Sequence, residues 1–409
     1  MSKAHWSIAS VVGEPHAGRF ASLEGYRAVA ALSVVVFHVR GRLLVDTDTG
    51  QMDVIDNLGN FGVAMFFLLS GFLLYLPVSR RLFARASQPP TAQFLLRRFV
   101  RIFPAYWLAI IGFALTAPSI HRQSVTPWKV FLLFDGGLRF LGVSWTLVIE
   151  LWFYFLIAAL ALVLPRVLRR CRTVSSVGRA QLIMLLVMAL VAQCWRISVT
   201  GNAIDLVRYV NWLPSFLDWF AWGMLMAVLV AWIEHGGTLP KALKGLADHG
   251  WVCVALGALC YAMVMWVVRV PPSLTFSETR VATLFRFTMQ PIAAFLLLLP
   301  ATLGRPQHVL QRALRRPLIA AFGTVSYGLY LWHISVLGVV ERNPIGSGGA
   351  WWMIVNLLVV VAVSFVLATL SYRLVERPAL LMVPSAFERL ARPEPSGQLA
   401  RRVGETAPR

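Results

Sequence analysis

Acidic residues are scarce in this chain. Asp and Glu number 18 against 38 Lys and Arg, and all four charged types together make up only 14% of the 409 residues. So little charge beside 58% hydrophobic residues excludes an ordinary soluble domain, which needs far less apolar surface. Cysteine is also sparse. Cys171, Cys194, Cys253 and Cys260 form no CxxC pair, so neither a disulfide framework nor a metal site is expected. Cys253 and Cys260 lie seven residues apart on one apolar run, a spacing that suits helix packing. An internal repeat is lacking as well, which counts against an inverted-repeat transporter.

Long apolar runs are what the chain has in abundance. Ten are found, at about 24–43, 58–78, 94–117, 143–164, 181–200, 209–233, 250–270, 280–302, 318–340 and 351–375. Each has close to the 20 or so residues that cross about 30 Å of hydrocarbon. The expected fold is all-α, a polytopic membrane protein with about ten transmembrane helices. The first run follows Glu24 and Arg27 and meets no small-residue cleavage site, so it reads as a retained helix and not a cleaved signal. Residues 1–23 are polar and irregular, 24–378 form the membrane domain, and 379–409 have the composition of a disordered tail.

The net charge of +20 resembles that of a nucleic-acid binder, but its distribution excludes one. The basic residues fall in alternate loops. Residues 79–101 carry Arg80, Arg81, Arg85, Arg97, Arg98 and Arg101 with no acid. Residues 165–180 carry Arg166, Arg169, Arg170, Arg172 and Arg179, and 304–316 carry Arg305, Arg312, Arg315 and Arg316. The positive-inside rule places these loops, and with them both termini, in the cytoplasm. The partner is a lipid bilayer, and the Arg-rich, Ala-rich, Lys-poor composition points to a bacterial plasma membrane.

Orientation turns position along each run into depth, at about 1.5 Å per residue. His38 falls roughly 21 Å from the inner face and His333 roughly 22 Å; Glu150 falls roughly 20 Å from it. Arg286 and Asp218 come out at a similar depth. Singly, each is as well explained by a structural ion pair. As one layer from five spans they suggest a site, because ionisable groups in lipid are costly and tend to be functional. An imidazole and a carboxylate in one apolar pocket can share acid–base work, either on a hydroxyl attacking a thioester or in a transporter's proton relay. Nearer the inner face, Arg98 and Arg101 are three residues apart and share a helix side, and Arg27 opens the first span at the same level. Guanidinium groups there suit phosphate.

Four segments together resemble the acyltransferase-3 family of integral membrane acyltransferases. They are LEGYRAVAALSVVVFH at 23–38, FFLLSGFLL at 66–74 followed by RRFVRIFPAYWL at 97–108, SWTLVIELWFY at 144–154, and SYGLYLWHISV at 326–336. The family's S-x-x-x-E-x-x-x-Y pattern appears here as Thr146, Glu150 and Tyr154, with a hydroxyl kept at the first position. The resemblance implies O-acyl transfer from an acyl-coenzyme A, commonly acetyl-CoA, supplied from the cytoplasm, with no bound cofactor. The acceptor it implies is a carbohydrate, a glycolipid or a macrolide-like product. Carried over, His38 becomes the base or acyl carrier with Glu150 in support. Arg27, Arg98 and Arg101 hold the donor, while Thr146, Tyr154 and His333 lie near the acceptor; Arg286 and Asp218 join them on depth. Some members carry an extracellular domain after the last span, and the roughly 34 residues here that follow residue 375 are too few for one. The competing reading is a proton-coupled transporter with a His/Glu relay.

Overall fold

The computed structural model describes residues 20–43, 54–116, 127–133, 142–200, 211–268, 279–305, 308–346 and 349–383. Most of the segment before residue 24, the tail from residue 384, and several charged loop residues such as Asp46 and Asp48 lie outside them. Among the described residues every regular element is a helix. In chain order they are α1 (Leu23–Leu43), α2 (Leu58–Ala84), α3 (Thr91–Thr116), α4 (Pro127–Phe131), α5 (Trp145–Val167), α6 (Val174–Val199) and α7 (Leu217–Glu234). There follow α8 (Lys241–Asp248), α9 (Gly250–Val267), α10 (Arg280–Thr302), α11 (Val309–Leu314), α12 (Pro317–Thr324), α13 (Ser326–Arg342) and α14 (Gly349–Ser371).

Eight of these helices are long and apolar enough to cross a membrane, and nine if α12 and α13 count as one broken span. The molecule is therefore an all-α polytopic membrane protein. α1 is the first of the ten runs found in the sequence and the one this count leaves out. It has the length, 21 residues, but carries Glu24 and Arg27 at one end and Arg40 and Arg42 at the other. The ninth run is not straight: α12 and α13 meet at 73°.

α2 is the axis of the bundle, packed by α1, α5, α7 and α10. Its closest neighbour is α7, and small residues make that approach possible. A Cβ on Gly71 would strike the backbone of Phe220, and one on Gly223 would strike that of Leu68. Lipid tails are as apolar as leucine, so association in a bilayer rests on such close backbone packing. Phe220 then stacks on Phe67 at 4.6 Å and on Phe153 of α5 at 3.8 Å, tying three helices through aromatic faces. α6 and α9 lie outside this core, with most of their apolar surface uncovered. At the other side, Gly323 of α12 abuts the backbone of Glu24, where a side chain would clash. That contact holds the end of α12 against the start of α1, just before the chain bends into α13.

Candidate functional site

The bend delivers Ser326 to Arg27, whose Nε donates to its Oγ at 3.3 Å. Beside them opens a pocket among α1, α2, α3, α5 and α13, with about 830 Å³ of empty space including its mouth. Arg27, Arg98, Arg101, Glu150, Thr146 and Tyr154 all line it, with Ser70, Tyr327 and Tyr330 and an apolar wall that includes Phe66, Phe67 and Ile102. Six residues singled out in the sequence thus converge from three different helices.

Three guanidinium groups and one carboxylate share this lining. Glu150 Oε1 accepts from Ser70 Oγ at 3.1 Å and from Tyr154 Oη at 2.8 Å. Tyr154 lies one turn after Glu150, so the four-residue spacing puts both on one helix side. Arg98 reaches the Tyr154 ring at 5.9 Å and the Phe94 ring at 5.6 Å. Its Nε is buried with no hydrogen-bond partner. A buried guanidinium satisfied by ring faces and not by a carboxylate retains most of its donors. Tyr327 anchors α13 to α3 by donating to the carbonyl of Ile102 at 2.8 Å.

Thr146 Oγ1 and Tyr330 Oη lie 2.8 Å apart, and each also lies within hydrogen-bond reach of the Val143 carbonyl. The two hydroxyl hydrogens serve two of these contacts: one hydroxyl donates to the Val143 carbonyl and the other donates to that hydroxyl. The Tyr330 ring is 5.9 Å from that of His333. Tyr330 therefore has the pocket on one side and His333 on the other.

His333 is fully buried and touches His38 directly. Its Nε2 is 3.3 Å from His38 Nδ1, which also lies 2.9 Å from the carbonyl of Val34 one turn back. A carbonyl only accepts, so this contact assigns the hydrogen of neutral His38 to Nδ1 and leaves the lone pair on Nε2.

His38 and Glu150, expected to work together, are not in direct contact in this structure. Glu150 lines the pocket and neither imidazole does. Among the described residues no hydrogen bond joins Glu150 to either histidine, and its carboxylate belongs with the arginines. Asp218 and Arg286 also lie away from this pocket. Asp218 makes a buried two-pronged pair with Arg196, at 2.8 and 2.6 Å, and Arg196 donates as well to the Ser215 carbonyl. Arg286 lies 5.5 Å from the Phe287 ring in the same neighbourhood, where Arg196 reaches that ring from 5.4 Å.

Four residues at or beside the site went unread in the sequence. Ser70, Tyr327 and Tyr330 are uncharged and sit inside apolar runs, although all three fall within the segments that carry the family resemblance. Glu376 is the fourth. It is buried on a π-helical turn, Tyr372–Glu376, that packs against α3, and Ser371 Oγ donates to it at 3.3 Å. The cations that act on its carboxylate are Arg101 and Arg27. Among the described residues no cluster of three or more His, Cys, Asp or Glu is placed to hold a metal ion.

A family model described as an acyltransferase domain matches residues 20–373. Nodulation protein 10 of Rhizobium leguminosarum bv. viciae is 28% identical over 392 residues, which is 89% of this chain and 94% of that protein. Acyltransferase MdmB of Streptomyces mycarofaciens is 24% identical over 410 residues, 93% of this chain and 97% of its own length. Peptidoglycan O-acetyltransferase OatA of Listeria monocytogenes is 22% identical over 380 residues, 87% of this chain. The match covers only 55% of OatA, so this chain spans about half the length of that relative. No solved structure matches.

Proposed function

The chain belongs to the acyltransferase-3 family of integral membrane acyltransferases, and from that premise we propose that it moves an acyl group, acetyl in the usual case, from acyl-coenzyme A to a hydroxyl of a carbohydrate, a glycolipid or a glycosylated small product. It is a multi-pass bacterial membrane protein and an acyltransferase. The donor, the acceptor and the residue roles are our reading.

One observation supports the donor. Arg27, Arg98 and Arg101 converge on a pocket whose lining offers a single carboxylate. Three cations face the pocket against one lining carboxylate, with Glu376 buried beside Arg101 and Arg27 as a further anion; cation is still in excess, and a ligand rich in phosphate supplies the missing charge. Coenzyme A carries such phosphates. Its thioester arm then runs along the apolar wall of Phe66, Phe67 and Ile102 toward Tyr330 and the imidazoles beyond it.

His38 is the base in this reading. Its Nε2 takes the proton of the acceptor hydroxyl as that oxygen attacks the thioester carbonyl carbon. The C–S bond breaks, the acyl group stays on the acceptor oxygen, and the departing sulfur takes the proton from Nε2 as free thiol. Glu150, held by Ser70 and Tyr154, is the fixed counter-charge of the arginines. Thr146 and Tyr330 form the passage between pocket and base.

Purified protein in detergent, given acetyl-CoA and an envelope extract as acceptor source, tests this. Release of free coenzyme A by the wild type that disappears in His38→Ala supports donor and base together. Release at the wild-type rate by folded His38→Ala overturns the reading.

A further inference from the structure

A histidine that serves as a base needs its other nitrogen held, and a carboxylate usually does this. Here the carboxylates are committed elsewhere: Glu150 to Ser70 and Tyr154, and Asp218 to Arg196. The groups within hydrogen-bond reach of His38 Nδ1 are the Val34 carbonyl and His333 Nε2. Resting on the reading of His38 as base, we propose that His333 is a positioning residue that acts through His38, accepting part of its Nδ1–H and so fixing the ring with Nε2 facing the reaction.

Three features carry this. His333 is wholly buried and is reached through His38 and Tyr330, so it is placed to act on its neighbour and not on solvent. Its Nδ1 is buried with no hydrogen-bond partner. Because the Val34 carbonyl assigns the hydrogen to His38 Nδ1, the facing His333 Nε2 is the acceptor and the hydrogen of neutral His333 sits on its Nδ1. The Nδ1–H of His38 then lies between two acceptors, Val34 O at 2.9 Å and His333 Nε2 at 3.3 Å.

The pair matters most when His38 is charged. An imidazolium forms after Nε2 takes the hydroxyl proton, and in an apolar bundle that cation is costly unless its N–H groups are bonded. Two acceptors on Nδ1–H stabilise it more than one. His333 takes no proton in this scheme: the hydroxyl proton goes to His38 Nε2 and from there to the departing sulfur, and His333 ends the cycle as it began. This differs from the expectation that His333 contacts the acceptor, since it gives the residue an effect on kcat and little on substrate binding.

The test compares His333→Gln with His333→Leu in the coenzyme A release assay. The Gln side chain carries an oxygen acceptor near the Nε2 position, and Leu has none. The expected result is that Leu lowers kcat by about 100-fold with KM for acetyl-CoA and for the acceptor extract little changed, while Gln stays within about tenfold of wild type. Should Leu fail to fold, His333→Asn replaces it, being polar but too short to reach His38, and is expected to lose activity as Leu does. Equal activity in Gln and the non-reaching variant, or a loss confined to KM, overturns the proposal. His38→Ala at the wild-type rate overturns instead the reading of His38 as base, whatever the His333 variants do.

Discussion

Two buried arginine–carboxylate arrangements lie in this bundle. In one, Arg196 of α6 and Asp218 of α7 meet one to one through two short hydrogen bonds, with the side chains 0% and 6% exposed. In the other, Arg27, Arg98 and Arg101 share a pocket with Glu150, and Glu150 is bonded to hydroxyls. In the first arrangement one cation meets one anion through two short hydrogen bonds, so the charges of the pair cancel. The second is incomplete by design of its parts, with more cation than anion and an open volume. An ionisable residue in the membrane is a candidate functional group, and its pairing decides between a fastener and a site.

The largest effect should come from breaking the closed pair. Asp218→Leu leaves Arg196 charged and unpaired and is expected to cost about 3–5 kcal/mol of stability, seen as a large drop in the thermal unfolding midpoint in detergent. The double variant Arg196→Met/Asp218→Leu should recover most of that loss, since an apolar replacement of both partners is often neutral. If the double variant is as unstable as the single, the pair is more than a fastener. In the open arrangement the order reverses. Glu150→Gln should leave the unfolding midpoint near wild type while acyl transfer falls by about 10- to 100-fold, the loss expected when the charged acceptor of two hydrogen bonds in the arginine pocket is replaced by a neutral one. Arg98→Gln and Arg101→Gln should each raise KM for acyl-CoA by about 10- to 100-fold, following roughly 1.5–3 kcal/mol per hydrogen bond to a charged group. Thr146→Ala should be mildest, a loss of several-fold in kcat/KM from one neutral hydrogen bond worth about 1 kcal/mol.

The comparison also marks what could be read from the residues alone. Run lengths and the lack of charge gave the polytopic helical fold, because crossing a bilayer imposes a length on any helix. The R-x-x-R spacing and the Thr146, Glu150, Tyr154 register put each set on one helix side, and both sides line the same pocket, since three- and four-residue steps fix a helix side. Depth brought His38 and His333 to one level, and they touch. Depth failed for Asp218 and Arg286 because it fixes position along the membrane normal and nothing across it. Which helices are neighbours depends on packing such as that of Gly71 on Phe220 and of Gly223 on Leu68 between α2 and α7, and hydropathy does not encode that. The same gap explains Glu150, whose partner Ser70 on α2 needed helix order and not height. The 73° bend between α12 and α13 left no mark in an apolar run without an internal proline. Glu376 sits in the last span and reaches the arginine site only through a π-helical turn. Ser70 and Tyr330 were legible only as parts of recurring segments.

The most direct test is the affinity of the purified protein for coenzyme A, measured by titration calorimetry in detergent, for wild type and for Arg98→Gln/Arg101→Gln. Binding by the wild type that weakens by about 100-fold or more in the folded double variant is the predicted result. Wild-type affinity in that variant would contradict the account, because the open cationic pocket would then not be where the donor is held.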